Sequence, residues 1–399
     1  MKIAVLDPIL AKTGHYMSFN RYILDLLDVP ENDIFLADIS NTFSRWYSSY
    51  CPKNASFRIV NVADRLSNRA RASNFIQDGI RSISDLQRDR RWYSSIIEKI
   101  AAWHPDIVLL TSQPRNGFFK ISRMKAPVAI IFHSIKKIVG SESRNSAVLS
   151  LKLRTERVMT NRFLRSNSVL AILLEDSTLS KIASRGYKTC RIPAYAYPEP
   201  SAELPSGKHR SDRFTMSSVG TINKGKNIDF LLDVIQKHKP EFFVYRISGN
   251  PRGSYGEEIV RRTANLRIST LETNFGYLSD EQYWQEISTA DFILIPYERS
   301  REGQSSGVMF DAMKCGTPII AADIEPFKMY VEKYKIGVLY EEGNEDDLLE
   351  AMRTAHERGK GFFDEAIRSF REEHSISKWR FRFNTDLRHY VNEWNSDRP

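Results

Sequence analysis

Apolar residues recur along the chain in short blocks, and between the blocks they fall three and four positions apart. Blocks at residues 3–6, 34–37, 57–61, 107–111, 128–132 and 169–173 predict strands in the first half. In the second half they lie at residues 214–219, 243–248, 266–271, 292–295, 318–321 and 337–339. Short unbroken apolar runs bounded by turn residues are the pattern of strands buried on both faces. The segments between them are amphipathic. Ile228, Leu231, Leu232 and Ile235 hold the i, i+3, i+4, i+7 spacing of one helix face, and Pro240 stops the run. Ser279-Asp280-Glu281-Gln282 is an S-x-x-Q capping box ahead of another helix. Strand and helix alternate from end to end, so the fold class expected is α/β, with parallel sheets covered by helices on both faces.

The alternation breaks once. Residues 193–213 (PAYAYPEPSAELPSGKHRSDR) hold four prolines and little periodicity, which marks a linker. The expected organisation is a Rossmann-like domain over residues 1–195, a linker over 196–213 and a second Rossmann-like domain over 214–375. An aromatic-rich amphipathic tail over 376–399 follows. Two doubly wound domains joined in this way would face each other across a cleft. Open α/β sheets bind ligands outside the carboxyl ends of their strands, so the loops there are the place to look for chemistry.

Composition narrows the class. The chain has 399 residues, 41% of them hydrophobic, which is ample for two buried cores. The three cysteines, Cys51, Cys190 and Cys315, are far apart and odd in number. They suit a reducing compartment and suggest neither a disulfide framework nor a metal knuckle. Met1-Lys2 leads straight into the first strand block, with no leader pattern. No window approaches the roughly 18 apolar residues of a spanning helix. A cytoplasmic protein is expected.

The net charge of +9 is uneven. Residues 1–200 carry 30 Lys and Arg against 17 Asp and Glu, and residues 201–399 carry 28 against 32. Eight basic residues between His133 and Ser166 face only Glu142 and Glu156. That stretch is either a solvated helix face or a surface drawn to anionic lipid, where each basic residue is worth roughly 1 kcal/mol. No basic and aromatic motif of a nucleic-acid reader accompanies it.

The candidate chemistry lies in REGQSSGVMFDAMKCGTPIIAAD, residues 301–323. It reads as a small polar loop, a short helix, and a stop at Gly316 and Pro318 before the next strand. Ser305, Ser306, Gly307 and Val308 would present free backbone N–H groups at the helix start, and Gly307 would let a ligand approach the backbone. Such a terminus carries about half a positive charge and suits a phosphate. Asp311 follows one turn later. A carboxylate there repels phosphate but accepts hydrogen bonds from a pair of hydroxyls, such as those of a ribose. Amides for a diphosphate and a carboxylate for a ribose describe a nucleotide site; an ordinary capped helix with a surface Asp is the alternative. A second stretch, SSVGTINKGKNIDFLLDVI at residues 217–235, ends a strand at Val219-Gly220 and offers Lys224 and Lys226 to a diphosphate.

Taken in order, the two stretches resemble the C-terminal domain of the GT-B glycosyltransferases, in particular retaining family 4. The resemblance covers roughly residues 214–355. It is carried by the glycine and lysine loop after the first strand, by FGYLSDEQYWQEISTADFILIPY, and by FDAMKCGTPIIA. The N-terminal half is similar to the family more loosely. LDPILAKTGHYMSFNRYILDLL corresponds to the first strand, glycine loop and helix, and AIIFHS places His133 at a strand end. Three positions depart from the family pattern. Thr221 follows Gly220 where the family has a loop arginine. Asp311 replaces the second glutamate of the E-x7-E element. Gly303 stands at that element's first position, with Glu302 beside it.

The resemblance implies a glycosyltransferase using a UDP- or GDP-linked sugar, in cell-surface polysaccharide or lipopolysaccharide synthesis. Its acceptor would be a glycan or a lipid-linked saccharide. Lys226, with Lys224, Gly220 and the amides of Ser305 to Val308, would hold the diphosphate, and Asp311 the ribose. Glu302 would contact the donor sugar and His133 the sugar or acceptor. Gly14 would allow close approach of the donor, and His15 would face the acceptor. The retaining reaction of the family is front-face, so neither a metal nor a resident cofactor is implied. Nucleic acid is not an expected partner; an anionic membrane surface is. Two other readings stay open: a sugar-nucleotide epimerase or a phosphorylase on the same fold, and a non-catalytic nucleotide- or carbohydrate-binding protein.

Overall fold

The computed structural model describes residues 1–6, 15–38, 53–61, 96–112, 124–133, 158, 160–165, 169–174, 176–197, 213–238, 242–301 and 306–397. The chain forms two compact units, one of Met1–Ala194 with Ile376–Pro399, the other of Tyr195–Ser375.

The described residues of the first unit form seven parallel strands: β1 (Lys2–Leu6), β2 (Asp33–Asp38), β3 (Ser56–Asn61), β4 (Ile107–Leu110), β5 (Val128–Phe132), β6 (Leu170–Leu173) and β7 (Thr189–Arg191). Their order is β3-β2-β1-β4-β5-β6-β7. Ile3 pairs with Ile34 on one side and Ile107 on the other, so β1 is central. Every residue of β4, β5 and β6 is buried, which is why these strands read as unbroken apolar runs. The three-residue edge strand β7 has no such run and escaped the pattern.

The C-terminal helix Ile376–Ser396 belongs to this unit. Trp379, Phe383, Leu387 and Tyr390 recur at helical spacing and are buried. The polar groups on the helix have a second task. The helix His15–Leu27 ends with carbonyls that lack intrahelical donors. Arg380 Nε donates to Asp25 O and Asn384 Nδ2 to Leu26 O, each at 2.8 Å. Asn32 Nδ2 donates to Leu27 O at 2.8 Å and to Asn384 Oδ1 at 2.7 Å. The last helix therefore completes the hydrogen bonding of the first.

The second unit has six parallel strands: β8 (Phe214–Val219), β9 (Phe243–Gly249), β10 (Leu271–Phe275), β11 (Phe292–Ile295), β12 (Ile319–Ala322) and β13 (Gly337–Tyr340). Their order is β10-β9-β8-β11-β12-β13. The helix Ile228–His238 buries Ile228, Leu231, Leu232 and Ile235, the four positions its spacing marked. The capping box before helix Asp280–Ser288 is formed: Gln282 N donates to Ser279 Oγ at 3.2 Å, and Ser279 N to Gln282 Oε1 at 2.9 Å. The strand expected over residues 266–271 begins only at Leu271. Leu266 instead caps the helix Gly253–Asn265, and Leu271 N closes a turn onto Ile268 O. The real strand is at the sheet edge with Glu272, Thr273 and Asn274 exposed, so it carries no apolar run.

Phe383 is fully buried in the last helix. Replacing it with Ala should cost about 3–5 kcal/mol, through lost burial and the cavity left behind. Urea denaturation of Phe383→Ala should show that loss in the transition of the first unit and leave the second unit's transition in place.

Candidate active site

In the second unit the chain leaves β8 toward β9 on one side, and β11 continues toward β12 on the other. The two strands are neighbours, so the loops at their carboxyl ends diverge and leave a crevice at the point where the strand order reverses. A small open pocket occupies it, lined among others by Gly220, Lys226, Pro296, Tyr297 and Val308.

Gly220 ends β8 with φ +105, a conformation that favours glycine. A Cβ on Gly220 would lie 3.4 Å from Lys226 Nζ and 3.7 Å from Val308 Cγ2, so the lysine and the helix start converge on this glycine. The lysine reaches it through a 3-10 turn, Lys224–Lys226, closed by Asn227 in the left-handed region with φ 53. That turn separates the two lysines. Lys224 is exposed and does not line the pocket, whereas Lys226 is half-buried. Lys226 Nζ donates to Val219 O at 3.0 Å and lies 5.3 Å from the ring centre of Tyr297.

The helix Gly307–Lys314 starts beside this lysine. Its N-cap, Ser306, is extended but makes no side-chain cap. Ser306 Oγ lies instead 3.3 Å from the Tyr297 hydroxyl. Among the described residues no side chain caps the leading amides of the helix, and the helix dipole favours an anion there. The helix stops as its sequence suggests, with Cys315 as C-cap and Gly316 at φ +67. One turn in, Asp311 Oδ2 accepts a hydrogen bond from the Tyr283 hydroxyl at 2.7 Å. Burial pushes the Asp311 carboxyl up to about 6, against the opposing effects of that hydrogen bond and the Lys314 charge.

Two residues at this site were not singled out from the sequence. Tyr283 lies in the first turn of helix Asp280–Ser288, just past its capping box, where nothing local marks it as a partner of Asp311. Tyr297 follows β11 and is buried. Burial raises its hydroxyl, but the Lys226 charge, the hydrogen bonds to Ser306 and Lys226, and the Arg301 charge outweigh this and hold it below the usual phenol range.

The structure thus brings Gly220, Lys226 and Val308 to one crevice, with Ser306 and Gly307 opening the helix that carries Val308 and Asp311 one turn further along it. In the first unit, His133 follows β5. Its Nε2 lies 3.1 Å from Thr111 O, which makes that nitrogen the donor, and its ring meets Phe19 edge-on at 4.5 Å. His15 is the first residue of helix His15–Leu27. The His15 side chain, Gly14, Glu302 and Ser305 lie outside the described residues, as does most of the basic stretch after His133. Among the described residues no helix is long and apolar enough to cross a membrane.

Residues 202–366 match the family model described as Glycosyl transferases group 1. No curated protein matches the chain. Solved structures do. HepE (Alr3699) of Anabaena, in complex with UDP, aligns with a TM-score of 0.67 at 15% identity, over 98% of this chain and 100% of that one. Sucrose-phosphate synthase of Thermosynechococcus elongatus aligns with a TM-score of 0.63 at 16% identity, over 98% of this chain and 99% of that one. WaaG, a glycosyltransferase of lipopolysaccharide biosynthesis, aligns with a TM-score of 0.60 at 13% identity, over 96% of this chain and 98% of that one. The fold is that of the GT-B glycosyltransferases. The second unit carries a glycosyltransferase group 1 domain, and the protein is an enzyme of the glycosyltransferase kind.

The raised Asp311 carboxyl sets a pH dependence. The folded state holds this proton more tightly than the unfolded chain, whose carboxyl titrates near 3.8. Its contribution to stability therefore falls as pH rises from about 4 to about 6, and is flat above. Unfolding followed between pH 4 and 8 should show a slope in that window that Asp311→Asn removes.

Proposed function

We propose that the protein transfers a sugar, with retention of anomeric configuration as in family 4, from a nucleotide-diphosphate donor to a glycan or lipid-linked saccharide. The observation that carries this reading is the convergence of Lys226, Gly220 and the uncapped start of helix Gly307–Lys314 on one crevice. An ammonium beside a helix start that its own N-cap side chain does not cap suits a diphosphate. Both groups would also stabilise the charge that develops on the leaving diphosphate as the glycosidic bond breaks.

The HepE structures support a uridine donor: that protein is bound to UDP in one and to UDP-glucose in another. In this reading the Asp311 carboxylate, steadied by Tyr283, accepts hydrogen bonds from the ribose. Glu302 contacts the donor sugar, and Gly14 lets the donor approach the backbone. His133 and His15 serve the acceptor side. The front-face route asks the leaving phosphate to assist removal of the acceptor proton, so the residues bind, orient and stabilise charge. The basic excess of the first 200 residues would draw the enzyme to an anionic membrane surface holding a lipid-linked acceptor, for polysaccharide or lipopolysaccharide assembly.

A thermal-shift panel of UDP-, GDP- and ADP-sugars tests the donor. At a hundredfold excess over Kd, the true donor should stabilise the fold by about 2.7 kcal/mol. Lys226→Ala should lose the response while its unliganded melting stays near that of the unaltered chain. Donor incubated alone should persist unchanged; its interconversion to an epimer would overturn the transferase reading.

A further inference from the structure

After β11 the chain makes a 3-10 turn, Arg299–Arg301, and the arginines at its two ends go different ways. Arg299 turns to carboxylates: its guanidinium lies 3.8 Å from Asp323 Oδ1 and 3.9 Å from Glu342 Oε2. Arg301 turns the other way. Among the described residues it has no carboxylate within ion-pair distance, and its buried Nε has no hydrogen-bond partner. Its aliphatic stem lies flat on Gly225. A Cβ at Gly225 would come within 2.6 Å of Arg301 Cδ and 3.0 Å of Cγ, so only glycine leaves room for it. Its guanidinium carbon then sits 5.5 Å from the ring centre of Tyr297. That ring also carries Lys226 Nζ at 5.3 Å.

Two cations therefore flank one buried phenol. Among the described residues neither has an acidic partner. Like charges gathered on one ring repel, and desolvation strengthens the repulsion. The ring faces offset part of it. The remainder is what a multiply charged anion would relieve. The two groups also differ usefully: the ammonium is a point charge, and the guanidinium is a planar fork that matches phosphate oxygens in pairs.

Building on the nucleotide reading above, we propose that Arg301 is the second cation of the diphosphate site, delivered by the loop after β11 and seated by Gly225. Lys226 and the helix amides then share the two phosphates with a guanidinium that the β8 loop does not supply. Gly225 is a positioning residue, since it acts only through the seat it leaves for Arg301. Its φ lies outside the left-handed region, so an alanine there fits the backbone and disturbs only the arginine stem.

Calorimetric titration with UDP and with uridine tests this. For the unaltered protein, UDP should bind well above uridine. Arg301→Gln keeps the stem over the ring and removes the charge. It should weaken UDP binding about tenfold and leave uridine affinity unchanged. Gly225→Ala should weaken UDP in the same direction. Arg299→Gln, whose native side chain faces carboxylates, should bind both as the unaltered chain does. If Arg301→Gln does not fold, Arg301→Lys decides: it should fold and show an intermediate loss for UDP alone. An Arg301 variant that binds UDP as tightly as the unaltered chain overturns the proposal while the nucleotide reading stands. Equal losses for UDP and uridine overturn it too, because they mark a structural effect. An unaltered protein that binds neither ligand overturns the nucleotide reading and this inference with it.

Discussion

The ammonium of Lys226 is held by the carbonyl of Val219, the last residue of β8, and by the face of Tyr297, which follows β11. Those two anchors belong to adjacent strands whose loops part company at the reversal of strand order. The lysine is thus fixed at the one place where a doubly wound sheet opens a crevice. The other features of the site follow from that position. Gly220 turns with positive φ, which favours glycine, and this sets its Cα beside the ammonium. Ser306 is drawn to the Tyr297 hydroxyl and so does not cap its own helix. A side chain diverted from capping leaves the amides of Gly307–Lys314 open beside a cation.

Close backbone packing supports this edge of the sheet. A Cβ on Gly249 would fall 1.9 Å from Gly220 O, so the ends of β8 and β9 approach more closely than side chains permit. Gly220 N donates to Ser248 O, and Gly276 N to Gly249 O, so the carboxyl ends of three neighbouring strands are tied together by backbone. Backbone-only surfaces of this kind hold their shape without rotamers to order, which suits a site that must be ready before its ligand arrives. The carboxylate side is built differently. Asp311 owes its position to a helix and its partner to another helix, and burial pushes its carboxyl up to about 6.

The first unit shows how a terminal segment becomes part of a core. The helix Ile376–Ser396 buries an aromatic stripe and gives polar groups to the carbonyls that end the helix His15–Leu27. Removing those donors would strand buried carbonyls, which costs more than the bonds themselves contribute. The pairing links residues more than three hundred positions apart in sequence, Asn384 with Leu26 and Asn32 among them.

The sequence alone determined what depends on neighbours along the chain. Strands buried on both faces favour unbroken apolar runs, so β4, β5, β6, β11 and β1 after Lys2 were legible. The capping box at Ser279 and the glycine stop at Gly316 were legible too, because each is written within a few residues. The likeness of two separate stretches to one family pointed to Lys226, Gly220 and Asp311. Edge strands β7 and β10 were not legible, since β7 is three residues long with two of them polar and β10 is exposed, so neither carries an apolar run. Only the tertiary structure decided which lysine of the pair turns inward, that Tyr283 meets Asp311, and that Arg301 lies on Gly225 beside the same ring as Lys226. Those contacts join loops and helices brought together by the strand order. Local pattern records burial and turns, but not which distant side chains share a crevice.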